Sequence, residues 1–213
     1  VTFVALAFRA LDHADALAGT VGVLTAFGVG ACAAVEVMDG LAVLLSVLAA
    51  ALTGFLMHNW HPARVGLGAC GSLFAGFVLA ASAVFTRAGY GLASSAGVLF
   101  ALTAVAVADV LLVVLARRLA GRPVLRRGPD HLAHRLRRSG LTPQGATVVL
   151  GLLAFAGVLV GVLVDMGWVA GSGVLWVAAG VVALVLVLLR VPGSSPRGSE
   201  SSQVRGRLRV RNG

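Results

Sequence analysis

The sequence predicts an all-α protein, a polytopic transmembrane bundle of about six helical spans. Hydrophobic residues make up 59% of the 213 positions and charged residues only 12%, and the mean hydropathy is +0.98. Soluble domains carry about 25% charged residues, so this composition argues against a water-soluble fold. The apolar runs reach about 20 residues, which is the length that a helix needs to cross a bilayer.

The predicted spans cover residues 17–35, 41–57, 66–86, 93–116, 146–164 and 168–189. They are rich in Leu, Val, Ala and Gly and lack the alternation of membrane β-strands, so we expect helices, which satisfy their own backbone groups in lipid. Residues 1–8 are apolar but too short to span, and no basic segment precedes them as in a signal peptide. We interpret them as the last turns of a helix.

Charge placement predicts the orientation of the bundle, because short cytoplasmic loops retain basic residues. All 17 basic residues are arginine, and most lie in the loop 117–143 or in the tail 191–213. We therefore expect both segments in the cytoplasm of a multi-pass plasma-membrane protein, with no need for a nucleic-acid partner. Counting helices backward places Arg87 outside, as the one basic residue on the wrong face.

The domain organisation that follows is a membrane-embedded domain over residues 1–190 and a basic tail over residues 191–213. The tail is rich in Ser, Gly, Pro and Arg, and its small apolar content predicts disorder. Binding of its arginines to anionic lipid headgroups is an alternative interpretation. Cys32 and Cys70 lie toward opposite ends of their spans, so no disulfide between them is expected.

The predicted topology gathers polar residues on the cytoplasmic face. They are Asp12, His13, Asp15, His58, Asn59, His61, Arg64, Asp130, His131 and His134. Carboxylates suit a divalent metal ion or proton removal, whereas arginine and histidine bind phosphate oxygens. This set predicts a site for a charged, phosphate-bearing substrate.

Three parts of the chain carry the motifs of one enzyme family. Residues 54–65 read Gly-Phe-Leu-Met-His-Asn-Trp-His-Pro-Ala-Arg-Val, and residues 68–77 continue as Gly-Ala-Cys-Gly-Ser-Leu-Phe-Ala-Gly-Phe. Residues 12–19 read Asp-His-Ala-Asp-Ala-Leu-Ala-Gly, and residues 129–136 read Pro-Asp-His-Leu-Ala-His-Arg-Leu. Taken in their order along the chain, these motifs resemble the C-terminal part of the polyprenyl-phosphate N-acetylhexosamine-1-phosphate transferases. That family includes the undecaprenyl-phosphate GlcNAc-1-phosphate transferases and the phospho-N-acetylmuramoyl-pentapeptide transferases.

The resemblance implies transfer of a sugar-1-phosphate from a UDP-sugar to a polyprenyl phosphate, with release of UMP, for cell-wall or surface polysaccharide synthesis. It also implies magnesium as a cofactor, because charge develops on phosphate oxygens during such a transfer. The implied partners are the UDP-sugar, the polyprenyl phosphate lipid and a partner chain or second copy.

Matching the motifs residue by residue implies catalytic and tentative metal-binding roles for Asp12 and Asp15, with Asp12 favoured. The implied substrate-binding residues are Asn59, Arg64, His131, His134 and Arg135. Asn59 and Arg64 match a turn that shapes the site, and the histidine loop matches one that contacts phosphates.

The motifs also depart from the family pattern at four positions. Ala69 replaces the metal-binding aspartate, Arg9 replaces an asparagine, Ala16 a glycine and Ala133 a histidine. A truncated, non-catalytic membrane relative or partner subunit is therefore the alternative function, and an unrelated small transporter is a third.

Some polar residues also have structural interpretations. Arg9 and Asp12 have the i,i+3 spacing of a helical ion pair. His13, like His58 and His61, could be an interfacial residue rather than a ligand. Asp109 could be neutral or paired with Arg117 or Arg118.

Overall fold

A computed structural model describes residues 1–121 and 131–191, and within these ranges the chain is helical without strands. The all-α prediction is confirmed. Asp130, the segment 122–130 and the tail from 192 onward lie outside the described residues, so their predicted roles and the predicted disorder of the tail stay predictions.

The described residues form nine helices, whose bounds follow. They are α1 Thr2–Leu11, α2 Leu17–Val35, α3 Asp39–Asn59, α4 Gly68–Thr86, α5 Leu92–Leu102, α6 Ala104–Leu119, α7 Leu132–Arg138, α8 Pro143–Asp165 and α9 Gly173–Leu189. Helix α2 lies at the centre, packed against α3, α4 and α8, while α6 and α9 pack together on another side.

Four of these helices, α2, α3, α4 and α8, are long and apolar enough to cross a bilayer by length and composition. Helices α5 and α6 make a fifth crossing if they form one span, and α9 is a shorter apolar helix of 17 residues. The predicted spans correspond to these elements in order. The chain is a polytopic helical membrane protein.

The predicted span 93–116 is a bent pair of helices and not the single helix that its apolar length suggested. Helices α5 and α6 meet at Thr103 with a bend of 83°. The Thr103 hydroxyl donates to the Leu99 carbonyl at 2.8 Å, and the Thr103 N–H donates to Leu99 and Phe100 at 3.2 Å each. Hydropathy does not register such a bend, since both arms are apolar.

Helix α1 crosses α4 closely, and a motif glycine makes the crossing possible. A Cβ atom on Gly76 would lie 2.7 Å from Phe8 Cβ and 2.9 Å from Ala5 Cα. Phe8 is buried in the core at this crossing. Gly76, the second glycine of the Gly-Ser-Leu-Phe-Ala-Gly motif, therefore lets α1 pack closely against α4. Because Asp12 directly follows α1, this packing also places Asp12 near the α3–α4 turn.

Replacing Gly76 by alanine should destabilise the protein by about 1–3 kcal/mol, because the added methyl group overpacks a backbone contact. The thermal unfolding midpoint in detergent measures the effect. Gly54→Ala in α3 is the matched control, since nothing lies within 4 Å of its added Cβ. That control should be neutral or gain up to about 1 kcal/mol of helix propensity. Equal shifts in the two variants would contradict a steric role for Gly76.

The end of the bundle that holds the α4–α5 turn is closed by charged contacts. Arg87 pairs with Asp165 at the end of α8, and its Nη2 donates to the Ser94 hydroxyl at 2.9 Å. The Tyr90 hydroxyl donates to Glu36 at the end of α2. Arg87 on the predicted outer face is thus neutralised by an acid on that same face. Which end faces the cytoplasm stays a prediction.

Candidate functional site

Asn59, the last residue of α3, joins two turns at the opposite end of the bundle. Its side-chain oxygen accepts the N–H of Ala16 at 2.8 Å, and its Nδ2 donates to the Val65 carbonyl at 2.6 Å. Ala16 has a φ of 63°, a left-handed conformation that favours glycine, the residue that the family has at this position. The buried amide therefore fixes the α1–α2 turn against the α3–α4 turn.

Asp15 is held by the α3–α4 turn. Its Oδ2 accepts from Nδ1 of His61 at 2.7 Å and from the N–H of Ala63 at 3.3 Å. The Thr147 hydroxyl of α8 donates to the Asp15 carbonyl at 3.0 Å. These bonds leave the side chain 39% exposed. Hydrogen bonds thus hold both the backbone and the carboxylate of Asp15 in place, while the side chain stays partly accessible to solvent.

Asp12 follows the last residue of α1 and faces the start of α4. Burial raises the pKa of the Asp12 carboxyl above its ordinary value, and hydrogen bonds from the backbone N–H groups of Gly68 and Leu67 partly offset that rise. Within the described residues Asp12 and Arg9 form no ion pair, so the suggested i,i+3 pair is not the role of this acid. Ala69, next to Gly68, is exposed and offers no oxygen ligand.

One cavity brings most of the predicted site together. It has a volume of about 190 Å³ and is lined by Asp12, His13, Ala14, Asp15, Asn59, Ala63, Arg64, Val65 and Gly66. Both predicted acids, the predicted amide and one predicted arginine therefore border the same space. Arg64 is exposed at its edge, where a guanidinium can reach phosphate oxygens.

The histidines form a second group beside this cavity. The rings of His13 and His131 are stacked with centroids 4.2 Å apart, and the His134 ring lies 5.0 Å from His13. Burial lowers the pKa of His13 to about 4 and also lowers the pKa of His134. His13 is thus not an exposed interfacial residue: it lines the cavity and contacts the histidine loop.

Asp109 anchors His131 from within α6. Its fully buried carboxylate accepts from His131 Nδ1 at 2.8 Å and from the Leu132 N–H at 2.8 Å. The sequence suggested a neutral acid or a pair with Arg117 or Arg118 and gave no indication of the contact with His131. The one signal available was that an ionisable residue inside an apolar span needs a partner.

Arg135 lies away from the cavity in its described contacts. It is buried, and its Nη1 donates to the carbonyls of Leu188 at 2.7 Å and Val191 at 3.2 Å, at the C-terminal end of α9. A cation at that position interacts favourably with the helix dipole. The implied contact of Arg135 with substrate phosphates stays a prediction.

Comparison with known proteins gives one family. Residues 1–87 match the model of glycosyl transferase family 4. A Streptomyces coelicolor protein named as a candidate glycosyltransferase is 69% identical over 191 residues, which is 90% of this chain and 46% of that protein.

Two other relatives carry more specific names. A phospho-N-acetylmuramoyl-pentapeptide-transferase of Desulforamulus reducens is 36% identical over 71% of this chain and 44% of its own length. A decaprenyl-phosphate N-acetylglucosaminephosphotransferase of Mycolicibacterium smegmatis is 32% identical over 87% of this chain and 52% of its own length. The chain spans about half the length of the curated relatives it matches. With the matching motifs and the helical membrane fold, these comparisons show that the chain belongs to glycosyl transferase family 4, the family of the polyprenyl-phosphate sugar-phosphate transferases.

Proposed function

We propose that this chain takes part in transferring a sugar-1-phosphate, from a UDP-sugar such as UDP-GlcNAc, to a polyprenyl phosphate with release of UMP. The observation that carries the proposal is the cavity shared by Asp12, Asp15, Asn59 and Arg64 at one end of the bundle. The names of the relatives support a polyprenyl phosphate acceptor and a sugar-phosphate donor. The site would face the cytoplasm of the cell membrane and serve cell-wall or surface polysaccharide synthesis.

In this proposal an oxygen of the polyprenyl phosphate attacks the sugar-linked phosphorus atom. A new P–O bond forms to the acceptor, the bond to the UMP phosphate breaks, and UMP leaves with the electron pair. Asp12 takes the proton of the acceptor phosphate, because its partly buried carboxylate is a stronger base than an exposed one. Arg64 binds phosphate oxygens from the edge of the cavity, and a ring N–H of His134 in the histidine loop donates to them.

Magnesium is the proposed cofactor of this site. The chain would supply only some of its ligands, and substrate phosphates and water would supply the rest. Asp12 and Asp15 supply carboxylate oxygens, which Mg²⁺ prefers, whereas Ala69 supplies none. When bound, Mg²⁺ would stabilise negative charge on phosphate oxygens. Mg²⁺ is commonly held by one or two carboxylates together with substrate phosphates and water, so the two acids suffice for a weak site.

The alternative function is a non-catalytic relative or partner subunit, and Ala69 is the observation that favours it. Both functions predict the same fold. They differ in whether the cavity of the unaltered chain turns over substrate.

The test expresses the 213-residue chain in membranes and measures Mg²⁺-dependent UMP release from UDP-GlcNAc with undecaprenyl phosphate. An Ala69→Asp variant is measured beside it. We expect release by the unaltered chain and a rise of about tenfold or more in the variant, because the added oxygen ligand strengthens metal binding. Silence in both proteins would overturn the transferase proposal in favour of the non-catalytic relative.

A further inference from the structure

Three side chains from distant parts of the chain lie close together beside the cavity, and the proposed transfer reaction does not require all of them. They are His13 in the α1–α2 turn, Asp109 in α6 and His131 just before α7. Each offers one ligand atom, an imidazole nitrogen or a carboxylate oxygen, and the three atoms lie within 4.8 Å of one another. The folding of the helices brings these side chains together. Asp109 and His131 are 22 residues apart in the sequence, and His13 lies far from both, in the turn between α1 and α2.

His13 has a buried ring nitrogen that lacks a hydrogen-bond partner among the described residues. Its Nδ1 lies 2.6 Å from the Ala10 carbonyl, an acceptor, so Nδ1 carries the proton and Nε2 carries the lone pair. That buried nitrogen is Nε2. A buried acceptor without a partner is costly, and a cation bound there would satisfy it.

His131 is oriented in the way that metal-binding histidines are. Its Nδ1 lies 2.8 Å from the carboxylate of Asp109, whose side chain is fully buried. This carboxylate fixes the tautomer and the ring orientation of the histidine, and each of its oxygens keeps a second lone pair that a cation can share. The Leu132 N–H holds the second carboxylate oxygen at 2.8 Å, so the acid itself is fixed in place.

We propose that His13, Asp109 and His131 form a binding site for a divalent transition-metal cation of the zinc type. Two imidazole nitrogens and one carboxylate suit Zn²⁺, Co²⁺ or Ni²⁺, whereas Mg²⁺ prefers oxygen ligands throughout. Tetrahedral zinc at about 2.0–2.1 Å from nitrogen places its ligand atoms roughly 3.4 Å apart. The three ligand atoms lie within 4.8 Å of one another, so side-chain adjustments of no more than about 1.5 Å would bring them to that spacing.

His134 is the fourth side chain within reach. Its ring centroid lies 5.0 Å from that of His13. His134 lies in α7, the helix that begins directly after His131. A rotation of this side chain would complete a four-coordinate site, or leave the position to water or an anion. The bound cation would tie α7 to α6 and to the α1–α2 turn, and so fix the histidine loop beside Asp12.

This site is separate in chemistry from the proposed magnesium site at Asp12 and Asp15. It does not depend on the transfer reaction, because its residues are placed by packing and hydrogen bonds alone. Its test therefore needs no substrate, and its failure would leave the transferase proposal standing.

The experiment titrates Co²⁺, a spectroscopic substitute for Zn²⁺, into the full chain purified in detergent with an affinity tag that contains no histidine. We expect about one equivalent to bind with the visible spectrum of a four-coordinate nitrogen and oxygen site, and Zn²⁺ to displace it. His13→Ala should weaken binding by at least about 10- to 100-fold. His58→Ala is the matched control, because His58 is exposed and bonds to the Gly54 carbonyl of its own helix at 3.3 Å.

A second variant covers the case in which His13→Ala does not fold. His13→Cys, made in a Cys70→Ser background to remove the exposed thiol, should bind Co²⁺ and add a thiolate-to-cobalt charge-transfer band in the near ultraviolet. Three results would overturn the proposal: no four-coordinate spectrum in the unaltered chain, equal weakening in His13→Ala and His58→Ala, or Co²⁺ bound by the cysteine variant without the new band.

Discussion

Replacing Arg87 by methionine should lower the free energy of unfolding by about 3–5 kcal/mol, the cost of leaving one partner of a buried ion pair uncompensated. The Arg87 and Asp165 side chains are only 4% and 1% exposed. The guanidinium also bonds to Ser94 at 2.9 Å and lies 3.8 Å from the ring centroid of Tyr90. The substitution would leave the buried Asp165 carboxylate without its cationic partner at the point where α4, α5 and α8 meet.

Equilibrium unfolding in mixed micelles measures the loss, with Arg9→Met as the matched control. Arg9 is exposed on α1 and forms no ion pair within the described residues, so its replacement should change stability by no more than about 0.5 kcal/mol. The double variant Arg87→Met, Asp165→Leu should recover much of the loss, because no buried charge is left unpaired. A double variant as unstable as the sum of the two single ones would contradict this account.

The Arg87 pair also shows how far topology can be predicted from the sequence. Counting spans placed Arg87 on the outer face, and the same count puts the end of the predicted span 146–164, which Asp165 follows, on that face. It did not predict that the two would touch, because hydropathy reports the depth of a helix in the membrane and not its neighbours. The positive-inside rule consequently left Arg87 as an exception, which the ion pair explains.

The spans themselves were predictable because bilayer thickness fixes the length of an apolar helix. The bend at Thr103 was not, since both arms of the bent pair are apolar and hydropathy does not report a change of helix direction. The two turns of the cavity were predictable for a different reason. Asp12 and Asp15 lie in one motif and Asn59 and Arg64 in another, so each half of the cavity is local in sequence.

The histidine group was only partly predictable. His131 and His134 belong to one motif, but His13 and Asp109 join them from other segments. The pairing of Asp109 with His131 depends on how α7 packs against α6, and no spacing in the sequence encodes that contact. The sequence suggested Arg117 or Arg118 as partners for Asp109, and the packing of the helices adds His131, which no motif had indicated.

Asp12→Asn should lower the rate of UMP release by about 10²- to 10⁴-fold, the contribution of a positioned general base. The amide is nearly isosteric, and its oxygen can still accept from the Leu67 and Gly68 N–H groups, so the α1–α2 turn should keep its conformation. What is lost is the basic oxygen and its negative charge. Asp39→Asn, at an exposed acid that begins α3 away from the cavity, is the matched control and should retain the unaltered rate.

The corresponding Asp15→Asn variant separates the roles of the two acids. Asp15 already accepts from His61 at 2.7 Å and from the Ala63 N–H at 3.3 Å, so its charge is partly committed to holding the turn. We expect a smaller loss of rate than for Asp12→Asn, accompanied by a lower thermal unfolding midpoint. Unchanged turnover in Asp12→Asn would remove Asp12 from the mechanism. A larger loss in Asp15→Asn at unchanged stability would transfer the role of base to Asp15.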